Sequence, residues 1–188
     1  MTYEALPWLV FPPAVDLANT VRVTPRGERD LLETEDQLVA WIGAERGRIG
    51  GVEAVSGRLA EVRALRESVR ELLYAGARGN RPPAAARRRI NEISAAAPVH
   101  LTLTDTGSAV EMQEARDPFA LFEATIARSA IELADSERQD LAVCGAPSCG
   151  MLFLREHPRQ VWCSKPCGNR ARVARHAARH SRTRGASA

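Results

Sequence analysis

Four cysteines, the only ones in the 188-residue chain, fall within 24 residues as Cys144-x4-Cys149-x13-Cys163-x3-Cys167. Two close pairs joined by a short connection can bring four thiolates onto one ion. Soft sulfur ligands in a tetrahedral set favour zinc. Four protein ligands leave no open coordination position, so the expected cofactor is one structural Zn2+ and not a hydrolytic centre. Two disulfides, or a thiol redox switch, are the competing chemistry. The N-terminus MTYEALPWLVF has neither a basic leader nor a cleavage site, which points to a reducing cytoplasm and hence to metal. His157, His176 and His180 are read as surface or phosphate-contacting residues, because the cysteines already fill the site.

The flanking residues say how such a site is built. Gly145, Pro147 and Gly150 allow a tight turn around the first pair. Leu152–Leu154 is expected as a short strand covering the ion, with Val161-Trp162 as its return. Ser164 is a good helix N-cap, with Pro166 in the first turn and Cys167 three residues after the cap. The helix that follows is rich in Ala and Arg. At 100° per residue, Arg172, Arg175, Arg179 and Arg182 share a face of about 80°, beside Asn169, His176 and His180. Val173, Ala174, Ala177 and Ala178 form an opposite apolar side expected to pack on the finger. Arg170 falls among these and is expected to reach a carbonyl or carboxylate of the body.

Charge follows the same division. Residues 155–184 hold nine bases and one acid, whereas the remainder is mildly acidic, within a chain of net charge +3. A basic end on an acidic body points to a polyanion partner. Lysine occurs once, so arginine bias contributes, but bias does not explain the near absence of acids. The candidate nucleic-acid contacts are Lys165, Asn169, Arg172, Arg175, His176, Arg179 and Arg182. Double-stranded DNA is the expected partner. An RNA-binding or protein-interaction module stapled by zinc is the alternative; Phe153 and Trp162 read as covers for the metal, not as stacking platforms for single-stranded bases.

The body is expected to be mainly helical with one small hairpin. Thr34-x-x-Gln37 is a capping box opening a helix with Leu38, Trp41 and Ile42 inward, ended by Gly47. A second helix is expected from about Glu53 to Ala77, with an apolar stripe from Val55 through Leu73. A third follows Pro82-Pro83 to about Ala96. Val99–Leu103 and Ala109–Gln113 pair around Asp105-Thr106-Gly107-Ser108, and Asp117-Pro118 opens a helix burying Phe119, Phe122, Ile126, Ala130 and Leu133. The first thirty residues are irregular, with Pro25–Asp30 an exposed turn. Asp16, Asn19, Thr20 and Arg22 could line a ligand pocket or serve as caps and turn residues. No triad, phosphate loop or paired metal-ligand helix supports an enzyme, and no apolar run is long enough to span a membrane.

Trp162-Cys163-Ser164-Lys165-Pro166-Cys167-Gly168-Asn169-Arg170, with Cys144-x4-Cys149 and Phe153-Leu154 upstream, resembles the signature of CGNR zinc finger proteins. Val15-Asp16-Leu17-Ala18-Asn19-Thr20, with Leu38 and Trp41, is similar to the start of the ABATE domain that precedes such fingers in bacterial proteins. The resemblance implies an ABATE-like helical domain over 1–138, with a ligand-binding or dimerising role. A treble-clef-like finger with an Arg-rich helix would then occupy 139–188. It also implies zinc on Cys144, Cys149, Cys163 and Cys167, and a stress-related bacterial transcription regulator. A small-molecule effector and a homodimer are compatible partners. Arg155 stands where many relatives have an acid after the Phe-Leu pair.

Overall fold

The computed structural model describes residues 11–45, 48–49, 52–135 and 140–185, with side chains in the last stretch through Arg179. Gly47, the expected helix stop, and the side chains of His180 and Arg182 lie outside the described residues.

The elements follow in the order α1 (Pro13–Ala18), β1 (Val21–Thr24), β2 (Gly27–Asp30), α2 (Glu35–Ala44), α3 (Leu59–Ala77), α4 (Ala84–Ala95), β3 (Val99–Leu103), β4 (Ala109–Gln113), α5 (Pro118–Ala134), β5 (Leu141–Val143), β6 (Leu152–Leu154) and α6 (Lys165–Gly185). Each sheet is a two-stranded antiparallel hairpin. The fold is therefore mainly α with small β-hairpins, as expected, but with three hairpins among the described residues and not one.

Local chemistry explains most boundaries. The α2 capping box forms in both directions between Thr34 and Gln37. Asp117 caps α5 by accepting from the Ala120 N–H, with proline in the first turn. The helix expected from Glu53 begins instead at Leu59. Val52–Ala54 forms a single 3-10 turn, and Gly57 at φ +72° breaks the chain before the helix. The first N–H of α3 then donates to Glu35 Oε1, so α2 supplies a cap that α3 lacks in its own sequence.

Two elements differ from the irregular segment expected at the N-terminus. Pro12 and Pro13 start a short helix, α1, whose Ala14, Val15, Leu17 and Ala18 are buried. Pro25-Arg26 turns β1 into β2, with Val21 opposite Asp30 and Thr24 opposite Gly27. Asp30 then receives both terminal nitrogens of Arg66 at 2.6 Å. Arg66 lies in the middle of α3 and is 2% exposed. A buried arginine is tolerated because this bidentate ion pair and a bond to Thr20 Oγ1 at 3.1 Å satisfy it.

The core lies between α3, α4 and α5, with α1 laid across α3 and α5. Val62, Leu65, Val69, Leu72 and Leu73 of α3 meet Ile90 of α4 and Phe122, Ile126, Ala130 and Leu133 of α5. Leu141 of β5 and Leu152 of β6 belong to this same core. The cysteine-bearing hairpin therefore lends two leucines to the helical body.

Candidate metal centre and basic helix

The first cysteine pair is held by the β5–β6 hairpin. Cys144 follows β5, Cys149 lies in the connection, and the Cys144 N–H donates to the Met151 carbonyl at 2.8 Å. Two residues in the left-handed region, Ser148 at φ 55° and Gly150 at φ 64°, reverse the chain. The strand partner of β6 is thus β5, and not Val161-Trp162 as the sequence suggested. Gly145 N–H to the Val161 carbonyl is a lone backbone bond there, too little to build a ladder.

The second pair straddles the start of α6. Ser164 Oγ accepts from the Cys167 N–H at 3.4 Å, the expected N-cap. Trp162 covers the site between two glycines. A Cβ on Gly168 would stand 3.0 Å from Trp162 Cδ1, and one on Gly145 would stand 3.4 Å from Cζ3. The indole fits because both positions lack a side chain.

The four sulfurs converge within 4.8 Å of one another. Cys149–Cys163, Cys163–Cys167 and Cys149–Cys167 separations are 3.7, 3.5 and 3.7 Å. A tetrahedron with Zn–S of about 2.3 Å requires S···S of about 3.8 Å, whereas a disulfide would require about 2.05 Å. None of the four cysteines is paired in a disulfide. The donor set, its spacing and the burial of three of its members fit one structural Zn2+. In the absence of metal the thiols compete for protons. A hydrogen bond from Cys163 pushes Cys149 down to about 5, and the same contact pushes Cys163 up.

Two arginines approach this sulfur cluster. Arg170 Nη2 lies 3.0 Å from Cys167 Sγ, so it serves the metal site and not a carbonyl or carboxylate of the body. The i, i+3 spacing on α6 carries it there. From the body, Arg22 Nη2 lies 3.1 Å from Met151 Sδ. Burial lowers the Arg22 pKa, and the nearby charges of Cys149, Cys163 and Cys167 oppose that shift. A zinc tetrathiolate carries a formal double negative charge, which two guanidinium groups offset.

Asp16, Asn19, Thr20 and Arg22 line none of the grooves of about 450, 410 and 530 Å³ among the described residues. Asn19 and Arg22 reach across to the finger, and Thr20 holds the turn between them. The Asn19 amide, 1% exposed, donates to the Leu152 carbonyl at 2.9 Å and accepts from the Leu152 N–H at 3.0 Å. Thr20 Oγ1 donates to the Leu17 carbonyl at 2.7 Å. Tyr74 of α3 adds a third tie, donating to the Gly150 carbonyl at 2.6 Å. The groove of about 410 Å³ opens at this joint, beside Tyr74 and Gly150, and that of about 450 Å³ lies beside Leu72, Ile90 and Ile131.

Asp16 turns the other way, into a buried pair with Glu45. Both are fully buried, and each places one oxygen 2.9 Å from Arg48 Nη1. Among the described residues, Asp16 Oδ1 and Glu45 Oε1 have no hydrogen-bond partner. One arginine cannot neutralise two buried carboxylates, so burial and the Glu45 charge raise Asp16 to about 8, and burial raises Glu45 as well. The folded state thus holds a proton that the unfolded state releases above the ordinary value near 3.8. Stability from this source is fully present below that value and declines as pH rises toward about 8. Asp16→Asn is expected to flatten the decline: melting temperatures measured from pH 5 to about 9 should fall less for the variant than for the wild type. Equal slopes would mean that the pair does not hold the proton.

Beyond its first turn α6 leaves the body. Ala171 is buried, whereas every described residue from Arg172 to Arg179 is exposed. The apolar side expected to pack on the finger does not: Val173 is 61% exposed. Only the first turns of α6 are anchored, where Cys167 and Ala171 are buried. Lys165, Asn169, Arg172, Arg175, His176 and Arg179 all lie exposed on it. Arg172 reaches Asn169 Oδ1 at 3.2 Å, and Arg175 and Arg179 bond back to carbonyls four residues earlier. The contacts that sequence reasoning missed are Tyr74, Met151 and Gly168. Only Gly168, within the Cys-Gly-Asn-Arg run, carried a visible signal.

No curated protein matches the chain. Residues 12–137 match the ABATE family, described as "Putative stress-induced transcription regulator", and residues 141–180 match the CGNR zinc finger. The second match spans all four thiols, and the first spans two thirds of the sequence. The chain belongs to the ABATE family and ends in a CGNR zinc finger.

Proposed function

We infer that this protein is a transcription regulator that binds duplex DNA through α6, with the zinc centre fixing the angle at which that helix leaves the body. The observation that carries this reading is an acid-free helix of 21 residues whose side chains from Arg172 to Arg179 are exposed and whose Arg172, Arg175 and Arg179 share a face. At 1.5 Å per residue it extends about 30 Å, enough to lie along a groove and meet several phosphates. Like charges held together on one solvated face repel one another, and a polyanion relieves that repulsion.

The test is titration of zinc-loaded protein against pooled random-sequence duplex at two salt concentrations. Four phosphate contacts give a log–log salt slope of about −3.6. Replacing Arg175 and Arg179 with Ala is expected to weaken binding evenly across sequences and to bring the slope to about −1.8. Unchanged affinity and slope would remove both residues from the interface. Salt-independent binding, or none, would favour an acidic protein partner.

A further inference from the structure

The β3–β4 hairpin stands off the body. Nine of its ten strand residues are exposed, Gln113 being the exception. Leu101 and Leu103 are each 72% exposed, with Val99 at 41%, Met112 at 48% and Val110 at 37%. A two-stranded hairpin is marginal alone in water, and an apolar edge strand is open to pairing.

The register fixes which backbone groups face outward. Thr104 N–H bonds to the Ser108 carbonyl and Glu114 N–H to the Pro98 carbonyl. The residues between them pair as His100 with Met112 and Thr102 with Val110. Antiparallel bonding alternates along a strand. His100 and Thr102 therefore turn their backbone groups toward β4, while Val99, Leu101 and Leu103 turn theirs outward. The same three residues carry the apolar side chains of one face. On β4 the outward set is Ala109, Glu111 and Gln113.

We propose that the protein forms a homodimer by antiparallel pairing of β3 with β3 of a second copy, with Leu101 on the two-fold axis. In that register Leu101 meets Leu101 of the second copy, and Val99 meets Leu103 in both directions. On the order of six backbone hydrogen bonds close the junction, and two hairpins become one four-stranded sheet. Charge selects this edge. β3 has no acid or fixed positive charge, whereas self-pairing of β4 would set Glu111 directly against Glu111. The exposed apolar side chains of β3 offer on the order of 300 Å² per copy, below the roughly 800 Å² that each partner gives a standard interface. The association is accordingly reversible and concentration-dependent.

Sedimentation velocity on the whole zinc-loaded chain tests this. The wild type is expected to pass from monomer to dimer between about 1 and 100 μM, which corresponds to roughly −8 to −5.5 kcal/mol. Leu101→Lys, which brings two lysines together at the axis, is expected to weaken the dimer by at least about tenfold. Glu111→Lys is expected to leave it intact. Circular dichroism and melting temperature establish that each variant is folded. As a check independent of that substitution, Leu101→Cys is expected to form a disulfide-linked dimer under mild oxidation, because facing Cα atoms at such a pair lie about 5.5 Å apart. Met112→Cys is not. Three results would each overturn the proposal: a wild type that stays monomeric throughout, a dimer indifferent to Leu101→Lys, or cross-linking of the Met112→Cys variant in place of the Leu101→Cys variant.

Discussion

Removing zinc is expected to destabilise the whole chain and not only its last fifth. Binding of structural zinc contributes on the order of 10 kcal/mol or more to small finger modules, and here the module shares its apolar surface with the body. Leu141 and Leu152 belong to the same core as Val69, Leu73 and Phe122. Loosening β5–β6 withdraws both leucines and uncovers the α3 surface beneath them. At about 2–5 kcal/mol for each large side chain lost from a core, the effect on the body is comparable with the total stability of an ordinary domain. A thermal melt followed by far-UV circular dichroism, with and without chelator, reads this directly. The helical transition should move by tens of degrees, and Cys167→Ser should reproduce the shift. A two-step melt, with the main transition unmoved by chelation, would show that finger and body are energetically independent.

The second large effect is expected at Asn19. Its carboxamide satisfies both the N–H and the carbonyl of Leu152, acting as one rung of a strand that is not there. Asn19→Ala leaves two buried backbone groups unpaired at about 1–3 kcal/mol each. For a chain of this size, 1 kcal/mol corresponds to roughly 2–4 °C in melting temperature, so a fall of about 10 °C is expected. Asn19→Asp keeps the acceptor, loses the donor and adds a buried charge, and it should be at least as damaging. The distinguishing readout is metal release: zinc loss to a chromophoric chelator should accelerate in Asn19→Ala although Asn19 contacts no cysteine. Unchanged release kinetics would confine Asn19 to the body.

These two effects mark the limit of what the sequence discloses. The cysteine spacing, the Ser164 cap and the Thr34–Gln37 box are local signals within a few residues, and each appears as written. The β3–β4 hairpin was equally legible, because a Gly-containing turn separates two alternating runs. The partner of Asn19 was not. It lies 133 residues away, and an amide can meet any backbone. β1–β2 escaped because Val21 and Val23 are its only apolar strand residues, too few for a period to show. Val173 misled for the converse reason: an apolar side was visible on α6, but periodicity does not say whether a surface is present to receive it. Arg170 was placed by helical angle among alanines, while its distance from Cys167, three residues back, was the more informative number.

The joint built by Asn19, Arg22 and Tyr74 also bears on ancestry. A finger that completes the core of its neighbour cannot be exchanged for another without exposing Leu141, Leu152 and their counterparts on α3. Recombination at the boundary between the two units would yield chains that fold poorly on both sides. Selection would then preserve the pair as a single heritable block, with substitutions near Leu152 compensated near Asn19.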